Sequence, residues 1–411
     1  MISNKDKSIV RELAKEYMQL VCTEKQERMF QRFKDANDLK LVRPPVLIDE
    51  IPWYQMNVDG ELDCICENDR ARNTELMFRR RLFYLKRFKV DNVYEPFLRV
   101  RRAYDSTGIG VEKKCADIKR TDSFNNIVSA EYEDVLEDES VLEKMHDPEF
   151  TLRPDKDAAQ MEYYTELLGD SIPIKLYGFE AYSDSPWDEL TSLRGVEPIM
   201  IDMYDRPEYL HELMKRFSSA SNKEIDFIEK NLDIDNSYKS VHCTPQLVSG
   251  LADSGLKATW YRRAAQSLGM VSPAMFEEFE VDYINPIAER FAYTYYGCCE
   301  PLDDRIAVLK RKIPNLRKIG CSPWANVEKC AEQIGREFVL SRKPNPANVA
   351  IETNVDVIRA EIEETVKICI KYGCPYDYVL KDISTVSNRP ENIIIWANTV
   401  SSVLDKYYGE V

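Results

Sequence analysis

The run AYTYYGCCEPLDD at 292–304 sets two adjacent cysteines and a glutamate at the end of an aromatic, β-prone segment. Thiolate sulfur, imidazole nitrogen and carboxylate oxygen are all zinc ligands, and a catalytic zinc keeps one coordination position open. While the chain stays extended its side chains alternate, so Tyr296, Cys298 and Glu300 share one face and Gly297 and Cys299 the other. Cys298 and Glu300 are therefore candidate metal ligands, and Tyr296, Glu300 and Lys343 are candidate catalytic groups. Cys299 is expected to turn toward the covering layer and to be the less exposed of the pair. The alternative is an ordinary buried strand that turns at Pro301. Further ligands would come from other strand ends: His242 in SVHCTPQ, Cys321 in KIGCSPW, or Glu50 in IDEIPW. Each also has a structural reading, as a satisfied histidine, a small buried thiol and a salt-bridged acid.

Other side chains could bind rather than react. Trp260, Arg262 and Gln266 follow LKAT, and an arginine there can clamp a carboxylate or phosphate with two hydrogen bonds or simply pair with an acid. Trp324 can stack on a planar ring or plug a core. Lys343 and Asn345 flank Pro344, a setting that resembles phosphate-binding barrel loops. Asp382, next to Lys381, is a further binding candidate, and Asp304 is a candidate cap for the helix RIAVLKRK. Cys22, Cys64, Cys66, Cys115, Cys330, Cys369 and Cys374 fall on helices or loops and read as structural.

The elements that must position these groups are most regular in the second half. Four β-prone runs near 293–298, 316–321, 337–342 and 377–382 are each preceded by a helical stretch, the pattern of parallel strands joined by crossover helices. Each run ends in polar chemistry: CCEPLDD, CSPW, RKPNP and KDIST. In a (β/α)8 barrel those ends face the active site. Earlier, Val46 to Ile51 reads as a first strand, 68–88 as a helix, IPIKLYGFEAY as a strand, and the stretch from Asp205 to about 232 as one long helix with Pro207 in its first turn. Residues 1–40 read as a helical extension, and 41–411 as one barrel domain carrying an acidic surface insertion around 105–160.

Composition bounds the rest. Fifty-six Lys and Arg against 71 Asp and Glu leave a net charge of −15 across 411 residues, without a concentrated basic stripe, which argues against nucleic acid. No stretch approaches the roughly 20 apolar residues that span a bilayer, and the mean hydropathy of −0.45 argues against a membrane protein. Eleven cysteines without a secreted-domain framework, behind a charged amphipathic start, indicate reduced thiols in the cytoplasm.

WYRRAAQSLGMVSPAMFEEFE at 260–280, followed by YYGCCEPL, KIGCSPWANVEKCAEQIG, LSRKPNPA and LKDIST, resembles the uroporphyrinogen decarboxylase superfamily, in its decarboxylase-like branch related to corrinoid-dependent methyltransferases. RPPVLIDEIPW and VDNVYEP resemble that branch's early strands. The resemblance implies a (β/α)8 TIM barrel with extra N-terminal helices. It also carries two chemistries, and the chain departs from both. The arginine-rich R-x-x-G-R segment of the porphyrinogen decarboxylases is missing, since the only Gly-Arg pair is Gly335-Arg336. The His-x-Cys motif of the zinc methyltransferases reads Tyr296-Gly297-Cys298, and LSRKPNP lacks the further cysteine. The expectation is a zinc-assisted methyltransferase with Cys298, Glu300, His242 and Cys321 as the ligand pool. It would work between a small methylated substrate, such as an O-methyl ether or a methylated thiol, and a corrinoid on a partner protein. A carboxy-lyase, a non-catalytic tetrapyrrole- or corrinoid-protein-binding barrel, and a homodimer are alternatives that the sequence leaves open.

Overall fold

The computed structural model describes residues 2–116 and 131–409. Its centre is a curled parallel sheet of seven strands: β1 (Val46–Ile48), β2 (Tyr182–Asp184), β3 (Trp260–Arg263), β4 (Tyr293–Tyr296), β5 (Leu316–Cys321), β6 (Val339–Arg342) and β7 (Tyr376–Leu380). The strand order is β1-β7-β6-β5-β4-β3-β2, and every neighbouring pair is parallel. The four second-half runs are thus consecutive strands of one parallel sheet, joined by helices Ile306–Lys312, Val327–Ile334 and Val355–Tyr372. First strand pairs with last, as barrel closure requires. Between β1 and β2 no strand ladder is formed among the described residues, although Asp91 N donates to Val46 O at 2.7 Å and so draws the chain after helix Asp69–Arg87 alongside β1. The architecture is compatible with a TIM-like barrel, with seven strands paired.

IPIKLYGFEAY, read as one strand, divides: Ile174–Tyr177 pairs with Leu98–Arg101 in a separate two-stranded sheet, while Tyr182–Asp184 enters the main one. Within the acidic 105–160 segment, residues 117–130 lie outside the described residues. The rest forms short antiparallel pairs, Tyr104–Ser106 with Phe150–Leu152 and Cys115–Ala116 with Glu131–Tyr132, before helix Pro154–Leu168. The chain begins with helices Asn4–Val21 and Glu24–Asn37, whose first turns are closed by the side chains of Ser3 and Thr23. Asp304 does not cap Ile306–Lys312; it pairs with Lys329. No helix among the described residues is long and apolar enough to cross a membrane.

The two faces of the sheet differ chemically. Tyr261, Tyr296, Ile319, Cys321, Leu340, Tyr376, Tyr378 and Leu380 point outward into the apolar layer beneath the helices. Ser183, Arg262, Tyr295, Lys318, Ser341 and Asp377 are on the inward face, as their register against one another requires. A β-hairpin, Ser240–Val241 with Thr244–Pro245, inserts against that inward face. Val241 packs with Trp260 and Tyr295, and Cys243 with Leu47 and Val379. Thr244 Oγ1 lies 3.1 Å from Lys318 Nζ, which is paired with Asp377 at 2.7 Å. Burying this pair is tolerable because Thr244 and Ser341 supply further hydrogen bonds. The hairpin fills the interior and lifts its two-residue tip, His242 and Cys243, toward the C-terminal strand ends.

Candidate active site

β4 ends at Tyr296, and Gly297 adopts φ +111°, a conformation that side chains rarely take. A Cβ there would come within 2.8 Å of Leu302 Cδ1 and 3.2 Å of the Gly320 backbone. Strand alternation stops at this glycine, so Cys298 and Cys299 both project into the same cluster, with their sulfurs 3.6 Å apart. Cys298 is 3% exposed and Cys299 is the more exposed, the reverse of the expectation from continued alternation.

Around Cys298 Sγ stand His242 Nε2 at 3.5 Å and Lys381 Nζ at 3.4 Å, and Lys381 is also 3.4 Å from His242 Nε2. Cys299 Sγ donates to Asp382 Oδ2 at 2.8 Å. Asp382 N donates to Glu50 Oε2 at 3.0 Å, and Lys381 pairs with both carboxylates at 3.4 Å. His242, Glu50 and Asp382 all have positive φ, at +55°, +51° and +58°. Three strained non-glycine residues meeting at one point mark the place where the fold gives up local stability for side-chain placement.

The electrostatics follow from these contacts. The close contact with Cys299, helped by His242 and by Arg262, outweighs burial and holds the Cys298 thiol well below its ordinary range, as a thiolate. The same contact, with burial and the neighbouring charge, keeps Cys299 protonated. Burial keeps His242 a neutral imidazole. Burial and the Asp382 carboxyl push Glu50 up to about 7, against the pull of Lys381. Arg262 faces inward from β3. Burial opposes its charge, but Cys298 nearby more than compensates, and its Nε and Nη2 have no hydrogen-bond partner.

The remaining candidates are dispersed. Tyr296 points outward, bonded to Glu280 and packed edge-on against Phe276; its neighbour Tyr295 is the inward residue. Cys321 is also outward, buried beneath the helices against Cys330. Glu300 is buried with its oxygens accepting the amides of Cys298 at 2.9 Å and Ala265 at 3.4 Å, so it shapes the turn instead of facing the sulfurs. Lys343 is held inside by Tyr295 OH at 2.5 Å and Ser341. Trp260 lies at the opening end of β3, deep below the cluster. Asn345 caps the turn Pro346–Val349. Gln266 and Trp324 are exposed, Trp324 at 72%, so it is no core plug. Of the proposed ligand pool, Cys298 and His242 come together, joined by Cys299, Lys381 and Asp382. Beside them opens a cavity of about 490 Å³ whose lining includes Glu50, Asp382, Ile51, Trp53, Ile383 and Arg80.

Zinc would bind sulfur at about 2.3 Å and imidazole nitrogen at about 2.0–2.1 Å, which sets tetrahedral edges of about 3.6 Å for N to S and about 3.8 Å for S to S. The 3.5 Å and 3.6 Å separations here fit those edges, and the donors are of the right kind: a thiolate, a second thiol and a neutral imidazole. Those separations are two of the three edges a three-donor site needs, and among the described residues no group of three or more His, Cys, Asp or Glu is arranged to hold a metal ion. Cys299 is turned to Asp382, and the Lys381 ammonium counters the charge of Cys298 and lies 3.4 Å from His242 Nε2.

No protein-family model matches the chain, and no curated protein does. Among solved structures, a methyltransferase from Methanosarcina mazei superposes with a TM-score of 0.50 over 92% of this chain and 99% of its own, at 15% identity. The likeness is one of fold, spanning nearly the whole of both chains.

Proposed function

We propose that the protein is a methyltransferase that moves a methyl group between a small methylated substrate and a corrinoid carried on a partner protein. The observation that carries this reading is the Cys298–His242–Cys299 cluster at the C-terminal ends of a parallel sheet. The full-length likeness of fold to a methyltransferase supports it. His242, Cys298 and Cys299 would hold zinc, which at this position supplies Lewis acidity that polarises a substrate oxygen or lowers the pKa of a thiol. The chain's own groups do the rest. The cavity beside Trp53 and Ile51 receives the apolar body of the substrate. As the methyl group leaves without its bonding electrons, the substrate heteroatom keeps the pair, and Glu50 is placed to return a proton to it. Lys381 steadies the thiolate until substrate and metal are in place. A carboxy-lyase is the second reading, because Arg262 brings an inward-facing cation close to Cys298, of a kind that could attract a substrate carboxylate.

Protein purified without a histidine tag should contain about one zinc per chain. Cys298→Ser should lose most of that zinc and on the order of a hundredfold or more in methyl transfer to free cob(I)alamin. Cys321→Ser should keep its zinc while losing about 1–3 kcal/mol of stability, since a hydroxyl replaces a thiol under the helices. Wild-type protein that binds no zinc more tightly than about micromolar would falsify the metal assignment. Release of CO2 from a carboxylated substrate by a zinc-free protein would favour the lyase.

A further inference from the structure

A second cavity, of about 390 Å³, lies at the opposite end of the sheet. Val46, the first residue of β1, lines it, whereas Glu50, just past the end of β1, belongs to the cysteine cluster. Its walls come from helix Glu24–Asn37, the segment 89–91 and the final helix Glu391–Tyr408. Five cations line it, Lys25, Arg28, Arg32, Arg43 and Lys89, against two carboxylates, Asp91 and Asp405. In a chain of net charge −15 this concentration runs against the overall sign.

Both carboxylates are already engaged. Asp91 is paired with Arg32, and its other oxygen accepts the Val46 amide at 2.9 Å. Asp405 pairs with Arg43 Nη1 at 2.7 Å. Lys25 and Lys89 have no ion pair within 4.0 Å among the described residues, and Arg28 reaches only the exposed Glu24 at 3.7 Å. Arg43, whose side chain is 12% exposed, bonds Ser401 Oγ at 3.3 Å, and its buried Nε has no partner. Arg43 Nε and Nη1 are closed off from solvent, so Arg43 adds its charge from the wall, while Lys25 and Lys89 present their ammonium groups at the exposed side of the cavity. Met29 and Val90 give the cavity an apolar side, and its volume is within the range of small-molecule sites, about 300–1,000 Å³.

We propose that this cavity binds a small phosphorylated molecule carrying two or more negative charges. Its phosphate groups lie against Arg43, Lys25 and Lys89, and its uncharged part lies against Met29 and Val90. Arg43 contributes positive charge at the wall, and the two lysines supply mobile ammonium groups that donate to phosphate oxygens. The site is independent of the methyl-transfer reading, since no residue is shared between the two.

Inorganic pyrophosphate is a direct probe. Calorimetric titration of the full chain should show one pyrophosphate bound per protein. The exposed double variant Lys25→Ala/Lys89→Ala should weaken that binding about tenfold or more, with an unchanged melting temperature in the absence of ligand. Arg43→Gln should weaken it at least as much, whereas Cys298→Ser and the remote surface variant Lys371→Ala should bind like wild type. Absence of saturable binding up to about 5 mM overturns the proposal. So does a double variant within about twofold of wild type, because the attraction would then belong to the surface at large.

Discussion

Glu50 is the residue whose titration reports most directly on the proposed chemistry. Its carboxyl is pushed up to about 7 by burial and by the Asp382 carboxyl 332 positions away in sequence, with Lys381 opposing. The acid form is the proton donor, so it is present below pH 7 and lost as pH rises through that value. Methyl transfer should therefore fall on the alkaline side with an apparent pKa near 7, and Glu50→Gln should abolish that limb while lowering the plateau by on the order of 10²-fold. Cys298 contributes no limb in this range, because it is already a thiolate; the rate of its alkylation by iodoacetamide should be flat from about pH 6 to 9. A wild-type profile with no inflection near 7 would remove Glu50 from the mechanism. None of this was legible from IDEIPW alone. The sequence indicates a charge at a strand end, but the partner that shifts it is set by β1 and β7 lying side by side.

At the scale of elements, the strand–helix alternation of the second half was readable, because helical and extended periodicities differ and parallel pairing demands crossover helices. What the periodicity could not supply was the interruption of a strand. Continued alternation put Tyr296, Cys298 and Glu300 on one face; the register of β4 already points Tyr296 outward, and Gly297 breaks the alternation so that both cysteines turn into the cluster. The hairpin that carries His242 was equally hidden, since SVHCTPQ has the composition of an ordinary strand end and its two strands are only two residues each. Gly297 is thus the hinge on which the site depends. Gly297→Ala should cost about 1–3 kcal/mol from the backbone conformation alone, with more added as Leu302 is displaced. It should also lose zinc and Cys298 reactivity out of proportion to its loss of stability. Denaturant unfolding alongside metal content checks the pairing of the two effects; an Ala variant with wild-type zinc would show that the turn tolerates another path.

At the scale of the molecule, the face that bears the cysteine cluster also bears exposed apolar side chains that the interior does not explain. Met270 is 93% exposed, Trp324 72% and Ile351 70%. They sit in the segments that follow β3, β5 and β6, all at the C-terminal ends of parallel strands. Isolated exposed apolar residues are commonplace, but three sharing the rim of one face are suited to burial by a partner, with tryptophan the residue most often found at the centre of such contacts. A corrinoid protein docked over the mouth would cover them and present its cofactor to Cys298. The expectation separates docking from chemistry. Trp324→Ala combined with Met270→Ser should raise the KM for the carrier protein by about tenfold or more, on the order of 1.4 kcal/mol, while leaving transfer to free cob(I)alamin and the melting temperature unchanged. Cys298→Ser should do the reverse and depress both reactions alike. If the double variant slows free and carrier-bound transfer equally, the rim side chains belong to the substrate pocket, and the carrier must approach from elsewhere.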